Sequence, residues 1–338
     1  METEHCYIIA EAGVNHDGQL DKALRLVDIA ADAGADAVKF QTFSAARLVT
    51  ASAPKAAYQQ RTTEANESQL EMLSRLELSD DAHRVLQRRA HERGIAFIST
   101  PFDEQACDFL ETLDLPLYKI PSGELTNIPF LRHVAGKKRP MILSTGMASL
   151  GEVERALDVV RDAGCEDVTV LHCTSSYPAA MADVNLRAMQ SMASTFGVRV
   201  GYSDHTLGIE VSTAAVALGA RVIEKHFTVD KTSAGPDHAA SLEPAELAAL
   251  IRAIRNIQAA LGDGVKRQRP VEKELARVAR KSIVAAKDLA IGDVVSADDV
   301  VMRRPGNGLS SEHLEAVIGR RVGTPLSVGD LLTFSVLA

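Results

Sequence analysis

The chain has no excess of positive charge. Against 45 Asp and Glu it sets 37 Lys and Arg, a formal net charge of -8, so bulk attraction to nucleic acid or to an anionic membrane is not expected. Any anion it binds has to be held by a local pocket. Cysteine is scarce too: Cys6, Cys107, Cys165 and Cys173 lie far apart with no C-x-x-C pair, which argues against a disulfide framework and for a reducing cytoplasm. No run approaches the ~20 apolar residues of a membrane-spanning helix. The opening METEHCYIIAEAG lacks the basic start and long apolar core of a secretory leader. Low-complexity tracts are missing, and the histidines show no H-x-H or H-x-x-x-H spacing.

What is present is a rhythm. Eight short β-rich runs begin at Tyr7, Ala37, Ala96, Leu117, Pro140, Val168, Val198 and Val222. Amphipathic stretches such as LDKALRLVDIAADAGA, GEVERALDVVRDAG and EPAELAALIRAIRNIQAALG separate them, many closing on the Gly expected past a helix C-terminus. Alternating units of this number and length predict an α/β fold, a (β/α)8 TIM barrel over residues 1–265. A doubly wound open sheet is the structural alternative. One connection is abnormally long, from Ser44 to about Asp80; long loops of this kind are lids or binding loops, and this one is expected over the active mouth. After the barrel a charged connector, 266–281, leads to short strands and turns at 282–338, a module small for an independent core.

In a barrel of this type the active groups sit at the C-terminal ends of the strands. Those ends carry Glu11; Lys39 and Gln41; Ser99 and Thr100; Lys119, Ser122 and Glu124; Ser144 and Thr145; Thr174, Ser175 and Tyr177; Ser203 and His205; Glu224 and His226. Hydroxyls at the ends of the third to seventh strands, together with two lysines set in apolar runs, suit a dianionic, phosphate-bearing ligand. The competing reading is that the hydroxyls cap the helices that follow. His205 and His226 end consecutive strands, so a parallel β-α-β unit brings their imidazoles to one mouth. There, with Asp204 and Glu224 beside them, they suit a divalent first-row ion with open positions for substrate; alternatively they only hydrogen-bond within the fold. The acids Glu11, Glu124 and Glu224 either pair with the lysines or orient water and move protons.

The motifs EAGVNHDG, VKFQT, STPFD, YKIPSGE, ILSTGM, LHCTSSYP, GYSDHTLG, IEKHFT, GPDH and RRPGNGL occur in that order. Over essentially its whole length the chain resembles the sialic acid synthase family of bacterial nonulosonate synthases, with a C-terminal module that resembles the SAF, or antifreeze-like, domain. The resemblance implies condensation of phosphoenolpyruvate with an N-acetylmannosamine-type sugar and water, giving N-acetylneuraminate or a close relative such as legionaminic acid, plus phosphate. It implies that His205 and His226 hold Mn2+, or Mg2+ or Co2+ in its place, at the aldehyde of the open-chain sugar. Thr100, Lys119, Ser122, Ser144, Ser175 and Ser203 then bind the phosphoenolpyruvate, with Lys39 on its carboxylate side, and Phe102 belongs to substrate binding. Some relatives have Asn where Ser175 stands. Glu11, Gln41, Tyr177, Glu224 and Asp237 match positions at the sugar or at the metal-bound water. Arg304 matches an arginine that reaches the acetamido group from a partner subunit, which implies a domain-swapped homodimer. Which carboxylate, Glu11 or Glu124, acts as base stays open, as does any role of Asn66 in the long loop. The rival readings are another phosphoenolpyruvate-dependent 2-keto-3-deoxy acid synthase, which the RPGNG tail argues against, and a non-catalytic carbohydrate- or ice-binding protein, which leaves the strand-end ring unexplained.

Overall fold

A computed structural model of the chain describes residues 5–64 and 66–338. All eight apolar runs are parallel strands: β1 Tyr7–Gly13, β2 Ala37–Thr42, β3 Ala96–Pro101, β4 Tyr118–Ile120, β5 Met141–Ser144, β6 Val168–Cys173, β7 Arg199–Asp204 and β8 Val222–His226. Their hydrogen-bonded order is β3-β2-β1-β8-β7-β6-β5-β4. The first and last strands are therefore neighbours, with Tyr7 opposite Val222 and Glu11 opposite His226. The two ends of that order, β3 and β4, pack side by side, so the sheet curls into a barrel and the open-sheet alternative falls.

The helices form for the reasons their patterns predict. Leu20–Ala33 buries Ala23, Leu26, Val27 and Ala30, one apolar face, and ends at Gly34 in the left-handed region with its N–H on the carbonyls of Ala30 and Ala31. Leu150–Asp162 opens on a capping box between Ser149 and Glu152 and buries Val153, Ala156, Leu157 and Val160. The main core lies between these helices and the strands. Inside the barrel a second layer, Ile9, Ala37, Ile98, Ile142, Leu171 and Val222, closes the lower half. The inward residues above it are polar, so the barrel is plugged at its base and open for chemistry at its top.

The chain divides into two compact units, Met1–Asp263 and Gly264–Ala338. In the second, β9 Ser282–Ala285 pairs antiparallel with β10 Val300–Arg303 over a small core that includes Ile283, Val317, Val322 and Leu332. The expected connector 266–281 is not bare: it contains the helix Glu272–Ala279, whose Arg277 carbonyl accepts from Gly306 N at 2.7 Å. Ser282 Oγ fixes the RPGNG turn by donating to the Pro305 carbonyl at 2.7 Å and accepting from Gly308 N at 2.9 Å. Among the described residues no helix is long and apolar enough to cross a membrane.

Candidate active site

Strand alternation builds the site. Residues two apart on a strand share a face, and in a parallel ladder partners in register point the same way. Glu11 is in register with Lys39 on one side and with His226 on the other, while Ser203 is in register with Glu224. All five line one cavity of about 380 Å³ at the C-terminal mouth, beside Gln41, Thr100, Phe102, Lys119, Ser122, Ser144, Ser175, Tyr177, His205 and Asp237. The residues between them point outward. Asp204 and Lys225, in register, form a buried pair at 3.0 Å behind the strands, and Asp204 also accepts from Thr206 and Ser212. Asp204, expected beside the imidazoles, is thus spent on holding the ends of β7 and β8 together.

Two lysines and two carboxylates form the floor. Lys39 Nζ is 2.5 Å from Glu11 Oε2 and 3.8 Å from Glu224 Oε2; Lys119 Nζ is 3.2 Å from Glu224 Oε1. Lys39 also donates to Thr100 Oγ1 at 2.8 Å, Ser203 to Glu224 Oε1 at 3.0 Å, and Gln41 to Glu11 Oε1 at 3.4 Å. Burial pushes the Glu11 carboxyl up despite Lys39. It pushes on Glu224 in the same sense, but there Lys119 and Lys39 prevail and hold the carboxylate down. Burial lowers Lys119, while the two glutamates outweigh it at Lys39 and keep that ammonium charged. An arriving dianion therefore meets charged or readily charged ammonium groups that are already desolvated.

Thr100, Ser122, Ser144, Ser175 and Ser203 face the cavity and not the helix ends, whereas Ser99 bonds to Thr42 Oγ1 at 2.7 Å, Thr145 donates to the Leu171 carbonyl at 2.9 Å and Thr174 to the Asp183 carbonyl at 3.3 Å. The helices after β3, β4 and β5 are capped by Asp103, Asn127 and Ser149, so capping does not account for Thr100, Ser122 or Ser144. Ser144 Oγ is buried with no protein partner among the described residues, and Ser122 Oγ accepts from Gly146 N at 2.9 Å. Gly146 is needed there: a Cβ would collide with Ser175 Oγ and lie 2.8 Å from Ser122 Oγ.

The ring centroids of His205 and His226 are 5.6 Å apart, inclined at 49°, within joint reach of one ion whose bonds to nitrogen are about 2.1 Å. Nδ1 of His205 donates to the Thr174 carbonyl at 2.9 Å, which leaves Nε2 as a lone pair, the usual arrangement behind a metal-bound imidazole. His226 is held neutral by burial and by His205 and Lys39; its Nδ1 is buried with no hydrogen-bond partner among the described residues, 4.0 Å from Asp237 Oδ2. Burial pushes the Asp237 carboxyl up to about 6. Tyr177 packs against both rings, at 4.1 Å from His205 and 5.8 Å from His226. Gly13, at φ +53°, makes room for His226: a Cβ would lie 3.1 Å from its Cε1. This donor set fits a divalent ion. Among the described residues no three His, Cys, Asp or Glu side chains form a metal cage, so most coordination positions would be left to water and substrate.

Another expected residue stands elsewhere. Glu124 does not line the cavity; it ends a one-turn 3-10 helix, Ser122–Glu124, and accepts from Asn127 Nδ2 at 2.7 Å. Arg304 is exposed in the second unit. Asn66 is exposed and absent from the lining as well. The long connection after β2 contributes instead Leu48, Val49, Tyr58, Gln59, Gln69, Met72, Leu73 and Leu76. Tyr58 stacks on Tyr177 at 5.0 Å and 28°. These residues escape a reading of strand ends because they come from three short helices and their ends, Ala45–Leu48, Ala57–Thr62 and Gln69–Leu76; the signals in the sequence are the length of the connection and the helical spacing of its last segment.

Comparison with known proteins fits this architecture. The NeuB family model matches residues 26–266, and the SAF domain model matches 280–338. An N,N'-diacetyllegionaminic acid synthase of Campylobacter jejuni is 52% identical over 315 residues, 93% of this chain and 94% of that one. A protein of the same name from Legionella pneumophila is 48% identical over 331 residues, 97% of this chain and 93% of that one. The crystal structure of the N-acetylneuraminic acid synthetase of Leptospira borgpetersenii in complex with citrate superposes with a TM-score of 0.71 at 36% identity, over 81% of this chain and 90% of that one. The chain belongs to the NeuB family and carries a SAF domain at its C-terminal end.

Proposed function

We propose that this chain condenses phosphoenolpyruvate with 2,4-diacetamido-2,4,6-trideoxymannose and water, releasing phosphate and an N,N'-diacetyllegionaminic acid; N-acetylmannosamine, giving N-acetylneuraminate, is the second candidate. The observation that carries the reaction type is the desolvated floor of Lys39, Lys119 and surrounding hydroxyls set directly beside two imidazoles. The identity of the relatives favours the diacetamido sugar.

Phosphoenolpyruvate lies on the floor, with its carboxylate toward Lys39 and its phosphate among Lys119, Ser122, Ser144, Ser175 and Ser203. Thr100, already on Lys39, orients that ammonium. Mn2+, or a similar divalent ion, held by His205 and His226 would supply Lewis acidity at the aldehyde oxygen. Gln41, Tyr177 and Asp237 align the sugar so that C3 of phosphoenolpyruvate bonds to its aldehyde carbon, and positive character develops at C2. Water adds at C2, and Glu11 takes its proton, which balances the one required by the former aldehyde oxygen as it becomes a hydroxyl; of the two carboxylates Glu11 and Glu124, Glu11 faces the cavity and Glu124 does not. Glu224 keeps both lysines charged through the attack. The tetrahedral intermediate then breaks its bond from C2 to the bridging oxygen, the C2 hydroxyl becomes the ketone as its proton passes to that oxygen, and phosphate departs. Arg304 is assigned to the sugar acetamido group in a partner copy, in a homodimer resident in the cytoplasm.

A phosphate-release assay with Mn2+ tests the reading. Turnover is expected with the diacetamido sugar and more slowly with N-acetylmannosamine. Turnover of arabinose 5-phosphate, with neither of those sugars accepted, would overturn it.

A further inference from the structure

The cavity has two unlike sides. Its floor is polar, but the side above β1 to β3 is apolar: Phe43, Leu48, Met72, Leu73, Leu76 and Phe102 all line it. These side chains belong to a small apolar cluster, separate from the barrel core, in which Phe43, Met72 and Leu76 are buried and Leu48, Leu73 and Phe102 are packed against them. Phe43 and Phe102 meet edge to face at 5.9 Å. The connection after β2 thus has a core of its own, and the inner side of that core is a wall of the active site. Among the described residues no Lys, Arg, Asp or Glu of that connection reaches the cavity; its polar contribution is Tyr58, Gln59 and Gln69.

A wall of this kind selects by what it leaves unpaired. A hydroxyl pressed against it surrenders hydration without a partner, and a phosphate there would meet no cation, whereas a methyl group fits at no such cost. We infer that the apolar wall formed by Phe43, Leu48, Met72, Leu73, Leu76 and Phe102 is the specificity determinant of this chain, taking the methyl-bearing end of a 6-deoxy sugar and discriminating against its 6-hydroxy and 6-phosphate counterparts. This rests on the condensation reading above and adds to it the residues that choose the sugar. An apolar surface rejects an added hydroxyl only moderately, by about 10² in kcat/KM; a charged group it rejects far more strongly.

The test uses sugars differing only in the substituent on C6: N-acetylmannosamine, its 6-deoxy analogue and its 6-phosphate, each with phosphoenolpyruvate and Mn2+, on the full chain. The wild type is expected to favour the 6-deoxy sugar by about 10- to 100-fold in kcat/KM and to leave the 6-phosphate untouched. Leu48 and Leu73 are only half-buried, so Leu48→Asn and Leu73→Asn test the wall without emptying a core. Each is expected to bring the deoxy to hydroxy ratio down by about 5-fold or more while the KM for phosphoenolpyruvate holds. Equal turnover of the deoxy and hydroxy sugars by the wild type, or ratios unmoved in both variants, would overturn the inference and leave the condensation standing. Efficient use of the 6-phosphate would also overturn it, and phosphate release with none of the sugars would overturn both.

Discussion

Gly13 and Gly146 govern the site as much as any charged residue does, because each holds open the space that a functional side chain fills. Gly13 combines a positive φ with a Cβ position 3.1 Å from His226 Cε1, so Gly13→Ala is expected to rotate that imidazole. A displacement near 1 Å of a reacting group costs on the order of 10²-fold in rate; kcat should fall by about that factor while phosphoenolpyruvate still binds, as calorimetry would report. Gly146→Ala should do the reverse and chiefly raise the KM for phosphoenolpyruvate, since its Cβ strikes Ser175 and Ser122. A kcat within twofold of wild type in Gly13→Ala would remove His226 from the chemistry. A second contrast separates the carboxylates and the imidazoles. His205→Ala, His226→Ala and Glu11→Gln are expected to lose turnover by 10³-fold or more with far-UV dichroism unchanged, an order of magnitude in line with loss of a metal site or a general base. Glu124→Gln, whose side chain serves Asn127, should stay near wild type. Strand alternation alone made most of these residues legible: Lys39 and Gln41, Ser203 and His205, Glu224 and His226 are pairs two apart, each at the end of an apolar run. The same rule, applied one residue further, would have turned Asp204 outward. Glu124 was not legible, because β4 ends at Ile120 and the chain coils into a 3-10 turn before reaching it.

Among the elements, the connection after β2 is the one whose role the sequence announced only by length. Its position over the mouth was foreseeable; Tyr58 and Gln59 were not, since a helix of six residues carries too little periodicity to show which side faces inward, whereas Gln69, Met72, Leu73 and Leu76 follow the i, i+3, i+4, i+7 spacing of the eight-residue helix Gln69–Leu76. Its Tyr58 continues a column of rings through Tyr177 to His205, so the connection is coupled to the two imidazoles as well as to the apolar wall. Gly235 N, in the loop after β8, donates to the Thr62 carbonyl at 3.2 Å and ties the connection down from the other side. Tyr58→Ala is expected to raise the KM for the sugar about 10-fold, the loss of a packed aromatic pair and of the contact area around it, and Tyr58→Phe to restore it. Equal sugar kinetics in Tyr58→Ala and wild type would mean that the stack has no part in holding Tyr177. The loops after β1 and β8 are tied in the same manner: Asn15 Nδ2 donates to the Phe227 carbonyl at 2.8 Å and to Ser241 Oγ at 2.9 Å, and His238 bridges Thr228 Oγ1 at 2.7 Å and Asp17 Oδ1 at 3.0 Å. These two loops flank His226 and carry Asp237, which explains why the EAGVNHDG and GPDH motifs are separated by most of the chain and yet serve one place.

For the barrel as a whole, stability depends on buried imidazoles that must stay uncharged. His16 is buried, accepts from Gly18 N through Nδ1 at 3.0 Å, and is pushed down to about 4 by burial. His83 and His172 are lowered by burial as well. The sign follows from proton binding. Between the ordinary value of 6.5 and about 4 the unfolded chain takes up a proton at residue 16 that the folded chain refuses, so stability falls as pH drops through this window and the loss levels off below it. Going from pH 7 to pH 5, His16 alone should remove about 2 kcal/mol. His16→Asn keeps an acceptor for Gly18 N and cannot titrate. The expected result is that urea midpoints of the variant decline less over this range than those of the wild type, whatever the offset between the two at pH 7. Parallel declines would show that His16 takes up its proton as readily in the fold as in the unfolded chain, and the neutral imidazole behind the first βα loop would then have no place in the stability of the barrel.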